Sequence, residues 1–123
     1  MKELAKLRKI TYVCMLLLFN ACGEKNEPKP MGTLISYTNL RDDHFDRIDI
    51  LVDGKVRGFI TKPTTDKPVC WAENSATVSS ISLEAGRHTV AAKQYLAGEM
   101  VGEWDEDAID ITLDKCNKIR WTE

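Results

Sequence analysis

Between residues 47 and 61 the chain reads RIDILVDGKVRGFIT, with Ile48, Ile50 and Val52 on one parity and Asp49, Leu51 and Asp53 on the other. A period of two is the mark of a half-buried strand, and Asp53-Gly54 supplies the left-handed backbone that a two-residue hairpin turn needs. Val56 to Ile60 is then the returning strand. TLISYTN, from Thr33, is β-branched and aromatic with no helix-starting cap, which predicts the first strand. In VSSISLE, Ser79, Ile81 and Leu83 share a parity; Glu84-Ala85-Gly86 reads as a turn and residues 87–96 as the partner strand. The intrinsic preference of Ala91, Ala92, Lys93 and Gln94 is helical and pulls against that last assignment. AIDITLDKCNKIRWTE alternates again, predicting Ile109, Ile111 and Leu113 inward, Asp110, Thr112 and Asp114 outward, and a short turn before Ile119 to Trp121. KPTTDKP, residues 62–68, is a loop, because a proline has no N–H for a central ladder.

Six to eight short strands over about 90 residues, with no sustained amphipathic helix, predict an all-β fold: an antiparallel β-sandwich. VDGKVRG followed about thirty residues later by LEAGRHTV resembles the PEGA-like and other immunoglobulin-like modules of bacterial surface proteins, over roughly Asp49 to Val90. The resemblance implies an immunoglobulin-like sandwich that serves as a binding or spacer unit instead of a catalyst.

The pattern before residue 33 is different. MKELAKLRK carries four basic side chains against one acidic, and Ile10 to Phe19 is almost uncharged, the layout of an export signal. That run is too short to span a bilayer, which takes roughly 20 apolar residues. A cut after Ala21 would leave Phe19 where an ordinary signal peptidase wants a small residue. LFNAC resembles instead the lipobox of bacterial lipoproteins, in the looser form of Bacteroidota, with Leu18 one position out and Phe19 in its place. The resemblance implies that Cys22 is diacylated and becomes the new N-terminus, anchored in the lipid bilayer. Two or three acyl chains, at about 0.8 kcal/mol per buried CH₂, hold a small protein almost irreversibly. The expected organisation is a signal peptide over 1–21, a lipidated tether over 22–32 containing the polar GEKNEPKP, and one β-sandwich domain over 33–123. The location is the cell envelope, on the outer membrane, facing either the periplasm or the exterior. Gly23 lacks the aspartate of inner-membrane retention, and Glu24 and Glu27 resemble only faintly an acidic surface-export signal.

Removal of the signal leaves 13 basic and 18 acidic side chains. That balance disfavours nucleic acid as a partner, since phosphate binding needs a basic surface. With Cys14 in the signal and Cys22 lipidated, Cys70 and Cys116 remain as an even pair in a compartment where disulfides persist. A bridge between them is expected; two buried free thiols are the alternative. Neither has a second Cys or His within a few positions, so no zinc site is expected.

The sequence calls for no cofactor and holds no catalytic signature. His44 lies in RDDHFD and His88 at a strand start, neither beside a nucleophile in a recognisable motif. The expectation is that the protein is not an enzyme. Two carboxylate runs, Asp42 to Asp53 and Glu103 to Asp110, raise a calcium-dependent binder as an alternative, but neither has the spaced ligands of a calcium loop. They read more simply as a solvated face that guards edge strands. No loop longer than about 15 residues is expected, which leaves little material for the cleft of a glycoside hydrolase. Trp71, beside Cys70, and Trp121, alternating with Ile119, are expected in the core. Trp104 is expected to be exposed beside an acidic loop, where Trp104, Asp105 and Asp107 form a candidate partner-binding surface. The function expected is that of a non-enzymatic binding or structural module with an envelope protein or glycan partner; the alternative is an inhibitor or accessory subunit of an envelope enzyme or transporter.

Overall fold

The computed structural model describes residues 29–123. The expected signal and most of the expected tether, including Cys22, lie outside the described residues. Seven strands follow in order: β1 (Met31–Thr38), β2 (Arg47–Val52), β3 (Lys55–Ile60), β4 (Ser79–Glu84), β5 (Gly86–Leu96), β6 (Glu99–Ile111) and β7 (Cys116–Trp121). There is no helix among the described residues. They form two sheets, β4-β1-β7 and β3-β2-β5-β6, packed as a β-sandwich. All pairings are antiparallel except β1 with β7. Two-sheet architecture is shared with immunoglobulin-like domains, whose strand order is not always the same.

Alternation explains the core. Ile48, Ile50 and Val52 of β2, Ile81 and Leu83 of β4, and Leu34, Val90, Ile111 and Trp121 from the other strands form one buried cluster. Asp53 and Gly54 both have positive φ, 52° and 81°, the two-residue turn expected at this dipeptide. Gly58 of β3 has no side chain because one would run into the Ser79 hydroxyl of the facing sheet, so the glycine lets the two layers approach there.

Residues 86–96 are strand, as expected: β5 lies between β2 and β6, and ladder bonds on both sides outweigh the helical preference of Ala91 to Gln94. Three expectations change. The sequence EWDEDAID is not a loop but the body of β6, which forms a hairpin with β5 through Ala97-Gly98. Leu113 is 54% exposed because β6 ends at Ile111 and Leu113 stands in the following turn. The first strand starts at Met31, two residues inside the expected tether.

The 18-residue segment Thr61–Val78 is also longer than any loop expected, and contains no strand. It lies against the outer face of the three-stranded sheet, with the Thr64 N–H donating to the Thr38 carbonyl at 2.9 Å. Cys70 within it is paired as a disulfide with Cys116 at the start of β7, Cα atoms 5.6 Å apart. That cover explains why Ile35 and Tyr37, which face away from the main core, are nonetheless buried.

Candidate functional site

The expected binding surface is redistributed. Trp104 is half-buried: its ring lies 5.6 Å from that of Trp121, and its Nε1–H donates to the Thr122 carbonyl at 2.7 Å. The side chain closes the seam between β6 and β7, and is no exposed platform. Asp105 and Asp107 do stand in solvent, on β6 at the edge of the four-stranded sheet. Two register shifts bulge that strand against β5. Bulges and charges on an edge both oppose pairing with another chain, which accounts for this acidic run. Trp71, expected inside, is 82% exposed, so the tryptophan in the core is Trp121 alone of that pair.

The other acidic run is dispersed into separate local roles. Asp43 pairs with Arg41, Asp49 with Arg47, and the Asp46 carboxylate accepts from the Ala97 N–H. Among the described residues no three His, Cys, Asp or Glu side chains converge as metal ligands.

Both histidines serve the fold. His44 Nδ1 lies 3.2 Å from Glu123, close to the C-terminus. His88 Nδ1 and Nε2 each lie 2.7 Å from an acceptor, the Asp53 carboxylate and the Glu84 carbonyl. A neutral imidazole can donate to only one of these, whereas imidazolium donates to both. The hydrogen bond to Asp53, then that to Glu84, raises the His88 pKa against the opposing effect of burial. The bond from His88, then that from the Thr89 N–H, lowers the pKa of Asp53.

Because folding raises the His88 pKa, its contribution is whole below about pH 6.5 and is lost as pH rises through the folded value. Because folding lowers that of Asp53, its contribution is whole above about pH 4 and is lost as acid titrates the folded carboxylate. The pair therefore holds the β2–β3 turn best between those limits. Asp53 is largely exposed, so the worth is kept to about 1 kcal/mol. Replacing His88→Gln is expected to cost more stability at pH 5.5 than at pH 8.5 in urea melts; an equal loss at both would disprove the charged pair.

The site with binding potential is a groove of about 580 Å³ between the Thr61–Val78 segment and the outer face of β1 and β7. Tyr37 and Asn39 from β1 and its end, Lys118 and Arg120 from β7, and Thr64, Thr65 and Lys67 from the segment line it. The parallel β1–β7 register places Arg120 beside Tyr37 and Lys118 beside Ile35. Lys67, Lys118 and Arg120 take part in none of the ion pairs among the described residues. Among the described residues no carboxylate lines the groove. Three cations with nearby hydroxyl groups can receive a carboxylate, phosphate or sulfate group, Arg120 by a two-pronged contact.

These residues went unnoticed in the sequence. Alternation in CNKIRW does put Lys118 and Arg120 on one face, but only the parallel pairing and the folded-over segment bring Tyr37 and Lys67 beside them. Comparison of the chain with protein-family models, with curated proteins and with solved structures gave no match.

Proposed function

We propose that this chain is an exported envelope protein, anchored in a bilayer through acylated Cys22, whose sandwich is a non-enzymatic binding module for an anionic group. The observation that carries the binding role is the groove, where three cations with no acidic partner among the described residues gather in a domain that is otherwise acidic. The anchor is supported by the charged start, the short apolar run and the Ala21-Cys22 junction. A disulfide pair between Cys70 and Cys116 fits an oxidising compartment. Both histidine rings are engaged in holding the fold, which favours binding over acid–base chemistry. The acidic β6 edge suits solubility and edge protection better than the docking of a partner.

The test uses the full chain made in a lipidating bacterial host. Wild-type protein is expected in the membrane pellet and Cys22→Ser in the soluble fraction; wild-type protein in the soluble fraction would refute the anchor. The soluble Cys22→Ser form is then titrated with inorganic phosphate. Saturable shifts of the Lys118 and Arg120 amide resonances are expected, with about tenfold weaker binding after Lys118→Glu, the equivalent of about 1.4 kcal/mol. Uniform shifts over the whole surface, unchanged by Lys118→Glu, would refute the groove.

A further inference from the structure

The tether joins the sandwich at one definite end. The Pro30 carbonyl accepts from the Ala85 N–H at 2.8 Å, and Lys29 pairs with Glu84 at 3.4 Å. The β4–β5 turn and the β6–β7 turn lie at this end, the second through the Asp114 N–H donating to the Met31 carbonyl at 3.0 Å. Here too the disulfide fastens Cys70, because Cys116 is in register with Thr33 near the start of β1.

Apolar side chains are exposed at this end. Trp71 is 82% exposed, Leu113 54%, Val69 46% and Met31 40%. Trp71 and Met31 border one open cleft of about 390 Å³, with Lys115 beside them. Elsewhere, exposed Phe59 is covered on one face by the Arg47 guanidinium, 4.4 Å from the ring centroid. Among the described residues nothing comparable covers Trp71. The neighbouring disulfide holds the backbone of its segment against the sheet and leaves the indole outside.

Seven residues run from Cys22 to Lys29. Fully extended they reach at most about 25 Å, so an acylated Cys22 holds lipid headgroups within that distance of Lys29, at the end of the sandwich that carries Trp71. Tryptophan favours the headgroup level of a bilayer, where its ring is partly dry and its N–H is satisfied. The charges of Lys29 and Lys115 are balanced by those of Glu84 and Asp114, so the attraction rests on the apolar side chains. We infer that the tether end of the sandwich, led by Trp71 with Met31, Val69 and Leu113, seats on the surface of the same bilayer that holds Cys22. The inference rests on the proposed lipid anchor. In this orientation the Ala97-Gly98 turn and the Tyr37–Arg120 side of the groove point away from the membrane.

Full-length acylated protein carrying 5-fluorotryptophan is reconstituted into phosphatidylcholine–phosphatidylglycerol vesicles with a headgroup nitroxide lipid. Fluorine resonances of the three tryptophans are recorded, Trp71→Phe assigning the first. Severalfold broadening of the Trp71 line alone is expected, with the Trp104 and Trp121 lines little changed. Acylation of Cys22, read by mass spectrometry, together with vesicle binding and an unbroadened Trp71 line would overturn the seating while leaving the anchor intact. Unacylated protein that fails to bind vesicles would overturn the anchor itself and the seating with it. A Trp71 line that changes with protein density and not with nitroxide would assign the patch to a second copy and overturn the bilayer seating.

Discussion

Replacing Cys70 and Cys116 together by serine is expected to lower the stability of the domain by about 4 kcal/mol, because the bridge closes a loop of 46 residues in sequence separation. For a domain of this size that corresponds to a fall in Tm of about 20 °C. The Thr61–Val78 segment has few other fastenings: the Thr64 N–H donates to the Thr38 carbonyl, the Ser80 N–H donates to Asn74 Oδ1, and the remaining bonds, from Thr61 and Lys62 to Ala76 and in two short turns, are internal to it. Its release would uncover Ile35 and Tyr37, both now buried, and dismantle the rim of the cationic groove. Reduction of the wild type should therefore weaken anion binding as well as lower Tm. A double variant melting within about 5 °C of the oxidised wild type would show that the segment is held by its packing alone.

Trp121→Ala is expected to cost about 3 to 5 kcal/mol, the range for removing a large aromatic from a core. Trp121 is 7% exposed, belongs to the main cluster and packs against Trp104 across the seam between the two sheets. Trp104→Ala should lose less on its own, and the double variant should reveal a coupling of about 1 kcal/mol between the rings. Trp71→Ala, at an exposed position, should change stability by no more than about 0.5 kcal/mol in the soluble Cys22→Ser form. Urea melts of the three single variants would give this order. A large loss at Trp71 or a negligible one at Trp121 would contradict the packing.

Those tryptophans show where reading the sequence succeeds and where it stops. Trp121 was legible as core because it alternates with Ile119 in a short strand. The place of Trp71 beside Cys70 predicts burial, yet the disulfide fastens a surface segment and not two core strands, so its neighbour faces solvent. The acidic residues around Trp104 predict exposure. In the fold, those acids decorate an edge strand from which the Trp104 ring turns toward Trp121. In the same way, a helical preference at Ala91 to Gln94 yields to β2 and β6, between which the segment is held.

The features legible without the fold are local: period-two alternation in β2, β4 and β7, the Asp53-Gly54 turn, and an even pair of cysteines behind an export-like start. Alternation survives in any fold because it reflects the pleat of a single strand, and a two-residue turn depends only on its own backbone angles. The tertiary structure decided which side chains are covered. The parallel pairing of β1 with β7 and the return of Thr61–Val78 over them brought Lys67, Lys118 and Arg120 together, and left Trp71 exposed where the tether enters. Burial and charge convergence belong to surfaces that meet across long sequence separations, so neither is written in the neighbours of a residue.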